Sequence, residues 1–126
     1  MANNIEYSGY VKEDKGALSA FDSKRGDCTE YTYLYSALSR INNIPSRTMG
    51  GYVYFNNATL APKDYHNWSE IYLDGKWQII DPQKKSFLDK SASYIAMRIM
   101  TKEANSMLGS SHRFAYSHDA VTITMN

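Results

Sequence analysis

From residue 28 onward, apolar side chains recur at intervals of three and four: Tyr31, Leu34, Tyr35, Leu38 and Ile41, with Thr29, Glu30, Thr32, Ser36 and Arg40 on the other side. That is the period of an amphipathic α-helix of about four turns. Asp27 suits its N-cap, because a carboxylate there accepts a first-turn N–H. Asn42-Asn43 provides a stop, and Pro45 cannot continue the helix. Beyond it the pattern becomes that of strands. Residues 47–55 read as one, interrupted by Gly50-Gly51, a sign of a bulge or of close backbone approach. Residues 56–63 read as a loop. Residues 66–73 and 76–81 form two short strands around Asp74-Gly75, and a two-residue Asp-Gly link predicts a hairpin with a type I′ turn, since both positions need positive φ. Pro82 ends the second strand. Further on, residues 94–100 suggest a strand, 101–108 a short helix and 120–125 a last strand. Ahead of residue 27 only a short strand near Ile5-Glu6-Tyr7 is suggested. One helix followed by mostly antiparallel strands gives the α+β class.

Composition narrows the function classes. At 126 residues without repeats, low-complexity tracts or charge blocks, the chain is expected to be one domain, residues 1–126. Fourteen Lys and Arg against thirteen Asp and Glu give a net charge of +1, so no basic footprint for nucleic acid is expected. No apolar run has the length of a membrane span, and Met1-Ala2-Asn3-Asn4 does not read as a signal peptide, so neither membrane nor export signal is expected. Tyrosine occurs eleven times and cysteine once, at Cys28. One cysteine excludes an intramolecular disulfide and a multi-cysteine metal site. His112 and His118 have no third ligand at a recognisable spacing, so neither a metal nor another cofactor is expected. Cys28 is then a buried inert thiol or a nucleophile, and count alone favours the inert thiol. The compartment stays open, because a lone thiol suits a reducing cytosol and a catalytic one also survives outside the cell.

Placement changes the balance. Cys28 falls in the first turn of the predicted helix, where unpaired N–H groups and the positive dipole end favour the thiolate. The same N–H groups suit an oxyanion on a carbonyl attacked by that sulfur. The hairpin supplies partners: its register sets Leu73 opposite Lys76 and Trp68 opposite Asp81. His66, two residues from Trp68, shares the Asp81 face and lies diagonal to it, at a Cα separation of about 7–8 Å that imidazole and carboxylate can bridge. A His66–Asp81 hydrogen bond follows, with the carboxylate fixing the ring's tautomer and orientation; a slip of one residue in register would abolish it. Taken singly, His66 reads as an ordinary strand histidine and Asp81, before Pro82, as a turn former. Trp68 and Trp77 are expected as core aromatics beside the site, and the other tyrosines as scattered half-buried side chains. Two glycosylation sequons occur, Asn57-Ala58-Thr59 and Asn67-Trp68-Ser69; a sugar on Asn67 would crowd His66.

These residues together resemble the transglutaminase-like superfamily. Gly26-Asp27-Cys28 with Leu34, Leu38 and Arg40, then Ile44-Pro45-Ser46-Arg47 and Gly50-Gly51-Tyr52, is similar to the pattern around the family's nucleophile. The stretch from His66 to Leu73, with Gly75-Lys76-Trp77 and Asp81-Pro82, resembles its histidine and aspartate blocks. The likeness covers about residues 5–82, and the tail from Tyr94 with His112-Arg113-Phe114 is similar to some bacterial members. Asn43 stands where the family commonly has glycine, and asparagine also adopts the left-handed conformation.

The resemblance implies a papain-like fold, the cysteine helix packed on an antiparallel sheet. It implies acyl transfer through a thioester on Cys28, with His66 as general base and acid and Asp81 orienting it, and a peptide or protein substrate, a peptidoglycan peptide among those it allows. A surface or secreted bacterial parent protein fits as well. Water as acceptor gives a peptidase or amidase, the favoured alternative; an amine gives a transglutaminase; a third alternative is a non-catalytic binding module on the same fold. The family has a helix ahead of the first strand that this chain does not obviously contain, so a domain excised from a longer protein is one reading and a minimal version another. Its second oxyanion donor comes from upstream, where Tyr7 and Tyr10 are the side chains at hand.

Overall fold

The computed structural model describes residues 3–10, 13–54, 59–87, 93–100 and 112–115; the expected helix at 101–108 and strand at 120–125 lie outside them. The predicted helix spans Cys28–Ile41 (α2 in chain order). Its start is fixed by reciprocal caps. The Asp27 carboxylate accepts the Thr29 N–H at 2.8 Å, and Glu30 reaches back to accept the Asp27 N–H at 3.0 Å. This capping box satisfies donors that would otherwise be stranded in a buried place. Gly26 is part of the device, because a Cβ there would stand 2.4 Å from Glu30 Cβ. At the other end Asn43 takes φ 60°, the left-handed conformation expected of a glycine substitute.

A helix that the pattern did not reveal precedes it: α1, Gly16–Ser23. Its large apolar side chains, Leu18 at 72% and Phe21 at 52%, are exposed, and Ala20 is its buried residue. Apolar periodicity is invisible when the buried position is an alanine. Ala20 packs with Ile5, Tyr31 and Leu34, flanked by Ala17 and Leu38. The Tyr31 hydroxyl donates to the Ile5 carbonyl, fastening the N-terminal chain to α2. Beside it β1 (Glu6–Tyr7) pairs in parallel with β2 (Arg25–Gly26), Tyr7 against Gly26.

The remaining strands form one sheet. They are β3 (Ser46–Val53), β4 (Tyr65–Leu73), β5 (Lys76–Asp81), β6 (Ser86–Phe87), β7 (Tyr94–Met100) and β8 (His112–Ala115), in the order β6-β5-β4-β3-β7-β8 with antiparallel neighbours. The class is α+β, and the helix-on-sheet arrangement is the expected one. Edge strands β6 and β8 were not foreseen. The hairpin runs from Leu73 opposite Lys76 to Ser69 opposite Ile80, the register read from the Asp-Gly link, with Asp74 at φ 53° and Gly75 at φ 79°. Pro62–Asp64, at the end of the expected loop and one residue past it, makes a single 3₁₀ turn leading into β4.

The face of α2 that meets the sheet corrects the sequence reading. Its apolar stripe is turned to α1 and the N-terminal chain. The side assigned to solvent carries Glu30, Thr32 and Ser36, all buried, while Ile41, assigned to the core, is 76% exposed. Ser36 Oγ lies 3.0 Å from Ser69 Oγ and accepts from Ser46 Oγ at 3.1 Å; Ser69 Oγ donates to the Thr32 carbonyl at 3.1 Å. Small hydroxyl side chains leave room for a close helix–sheet approach and satisfy one another where apolar patterning reads only polarity. Trp77 also departs from expectation. It is 41% exposed, stacked edge-on against Tyr72 and covered by the Arg47 guanidinium 4.1 Å from its ring centre.

Gly50-Gly51 mark a shift in register between β3 and β7, as expected of a bulge. A Cβ on Gly51 would stand 2.0 Å from the Ile95 carbonyl oxygen and 2.9 Å from the Trp68 ring. Backbone cannot yield as a flexible side chain would. Gly51→Ala should therefore lower the unfolding free energy by about 1–3 kcal/mol or more, measured by denaturant titration.

Candidate active site

Cys28 is the first residue of α2, half-buried, on the wall of a cavity of about 880 Å³. Tyr7, Tyr10, Leu60, Tyr65 and Val53 supply much of the wall, with Lys63 and Lys84 as cations beside them. His66 opens onto the same cavity from the start of β4. Along β4 the Asn67 amide donates to Thr29 Oγ1 on α2 at 2.9 Å, so Asn67 faces the helix and neighbouring His66 and Trp68 alternate to the other face. That contact joins the strand to the first turn of the cysteine helix, one residue from Cys28 and one from His66.

The diagonal pair forms as the hairpin register requires. His66 Nε2 and Asp81 Oδ2 are 2.6 Å apart, and Asp81 is fully buried. With Nε2 taken by the carboxylate, Nδ1 is the ring atom left toward Cys28. Asp81 Oδ1 accepts the Lys84 N–H at 3.1 Å, and the Tyr94 hydroxyl donates to Oδ2 at 2.8 Å. Both readings of Asp81 thus hold: one oxygen forms the turn after Pro82, the other holds the histidine. Tyr94 was read only as the start of a strand. No signal in a single sequence assigns its hydroxyl to a carboxylate thirteen residues away.

Burial opposes charge on His66, yet hydrogen bonds and opposite charges from Asp81 and Cys28 outweigh it and raise the imidazole pKa from 6.5 to about 9. Burial likewise pushes Asp81 up, but the His66 hydrogen bond and charge, then the Lys84 and Tyr94 bonds, bring it below the ordinary carboxylate value. Tyr7 is pushed up by burial first, then by coulombic repulsion from its neighbours Cys28 and Asp27. Among the described residues no cluster of His, Cys, Asp and Glu suits a metal ion.

A family model described as the transglutaminase-like superfamily matches residues 1–82. The chain belongs to this superfamily. Among solved structures it resembles a candidate cysteine protease from Cytophaga hutchinsonii, with 27% identity and a TM-score of 0.65 over 90% of this chain and 37% of that one. It is also similar to the periplasmic domain of TgpA from Pseudomonas aeruginosa, 24% identical with a TM-score of 0.49 over 67% of this chain and 35% of that one. Among curated proteins, the human kyphoscoliosis peptidase is 23% identical over 64% of this chain. The chain spans 14% of that relative's length. The superfamily match ends at the Asp81-Pro82 block, short of β7 and Tyr94. Among the described residues, no helix of this superfamily member is long and apolar enough to cross a membrane.

The pH dependence of stability follows from the shifts. His66 holds its proton in the folded chain up to about pH 9 but only to 6.5 when unfolded, so its contribution is complete below pH 6.5 and fades as pH rises toward 9. Asp81 contributes fully above its ordinary value of 3.8 and less as pH falls through the lowered one. Thermal unfolding midpoints should be flat near pH 5–6 and decline between pH 6.5 and 9. Asp81→Asn should lower the plateau and flatten that alkaline decline, as read by differential scanning calorimetry across the pH range.

Proposed function

We propose that the chain is a thiol-dependent acyl-transfer domain that hydrolyses peptide or amide bonds, with Cys28 as nucleophile, His66 as general acid and base and Asp81 orienting His66. The observation that carries this reading is the His66–Asp81 pair, joined at 2.6 Å over a fully buried carboxylate, with Cys28 and His66 lining the same open cavity. An imidazole raised to about 9 is protonated at neutral pH, which suits a thiolate beside it.

In this reading the Cys28 sulfur attacks the substrate carbonyl carbon, and the carbonyl oxygen takes the negative charge. The capping box occupies the Thr29 and Glu30 N–H groups, so of the donors expected for an oxyanion the Cys28 N–H is the one at hand. His66 gives its Nδ1 proton to the departing amine as the C–N bond breaks, leaving a thioester. Neutral His66 then takes a proton from water, the hydroxide oxygen attacks the thioester carbon, and the thiolate leaves beside a re-formed imidazolium. Tyr7, Tyr10, Tyr65 and Leu60 give the cavity the mixed aromatic and apolar character that suits peptide side chains.

Iodoacetamide should label Cys28 at neutral pH far faster than an ordinary exposed thiol; labelling at the ordinary rate counts against the reading. Cleavage of fluorescein-labelled casein should fall by about a thousandfold or more in Cys28→Ala and His66→Ala, with the fold intact by circular dichroism. Incorporation of a labelled primary amine into casein glutamines in place of cleavage would assign the acceptor as an amine.

A further inference from the structure

A charged carboxylate out of contact with water needs its lone pairs occupied. Asp81 Oδ1 has the Lys84 N–H, whereas Oδ2 serves two donors at once: His66 Nε2 at 2.6 Å and the Tyr94 hydroxyl at 2.8 Å. An oxygen shared in this way is a weaker acceptor for each donor than one held by a single partner. The hydroxyl is firmly delivered. The Tyr94 ring stands edge-on to Trp68, centroids 5.1 Å apart and planes at 68°, and Trp68 is fully buried. Tyr94 also lies beyond the residues that the family model matches.

We propose that Tyr94 is a positioning residue that fixes the Asp81 carboxylate and moderates its grip on the His66 proton. For its effect on turnover this rests on the acyl-transfer reading; its effect on the His66 ring does not. In the resting pair His66 should keep its proton against Cys28, yet in the thioester it must take one from water and pass it on. A carboxylate bound to His66 alone would favour the protonated ring throughout and slow the cycle. The other ionisable groups around the pair are Cys28 and Asp27 at the head of α2, Tyr7 on β1, Tyr65 next to His66 on β4, Lys84 after β5 and Arg98 on β7.

The test is titration of the His66 ring by NMR in wild type, Tyr94→Phe, Asp81→Asn and the double variant. Tyr94→Phe keeps a ring against Trp68 and should move the His66 midpoint upward by roughly half a pH unit. Added to Asp81→Asn it should cause no further shift, because it acts through that carboxylate. With p-nitrophenyl acetate, Tyr94→Phe should keep the acylation burst while the steady-state rate falls several-fold. A folded Tyr94→Phe with an unmoved midpoint, or an equal shift in the Asp81→Asn background, overturns the proposal. Tyr94→Met provides the same comparison if the phenylalanine variant does not fold. A wild type without a burst would sink the acyl-transfer reading and still leave the ring titration to decide the role of Tyr94.

Discussion

The site depends on how closely α2 lies on the sheet, and hydroxyl groups set that distance. Ser36 and the Thr32 carbonyl on the helix meet Ser46, Thr48 and Ser69 on β3 and β4 through hydrogen bonds across the seam, while the Thr32 hydroxyl turns back to the Cys28 carbonyl. Leucines in these places would hold the helix farther away and carry Cys28 with it. The apolar surface of α2 is used instead against α1 and the N-terminal chain, where Ile5, Ala20, Tyr31 and Leu34 form a small core. The helix thus has two different neighbours, one gripped by hydrogen bonds and the other by burial.

Electrostatics adds a second constraint. Asp81 is wholly enclosed, and desolvation by itself pushes its pKa upward. Three donors from three segments reverse this: His66 from β4, the Lys84 backbone from the turn after β5, and Tyr94 from β7. A buried carboxylate with this many partners is expensive to remove from its setting and strongly directional within it. The turn, the hairpin and the far strand of the sheet therefore all bear on one imidazole.

Much of this was legible in the sequence, for physical reasons that differ by element. α2 announced itself through Asp27 and a clear apolar spacing, and the hairpin through Asp74-Gly75, whose turn fixes register and so brings His66 and Asp81 to one face. Gly50-Gly51 signalled the bulge, since few other reasons place paired glycines within a strand. What stayed hidden lacked a periodic signature. α1 buries an alanine and exposes Leu18 and Phe21. The sheet-facing side of α2 is polar, so hydropathy assigned it to solvent. Trp77, apolar by type, lies outside under Arg47. Tyr94 acts through one hydroxyl across the sheet, a relation that only the folded chain displays.

The spacing of these residues along the chain also bears on the order of assembly. His66 and Asp81 are fifteen residues apart on one hairpin with a strong turn, so they can meet early and locally. The contact that ties the cysteine helix to the same strand, Thr29 with Asn67, spans thirty-eight residues and must wait for the helix to settle onto the sheet. A chain emerging during synthesis would hold a His–Asp pair before its thiol was seated beside it. In the proposed acyl-transfer reading, the reactivity of Cys28 would then arise as one of the last acts of folding, sparing the unfinished chain an activated sulfur.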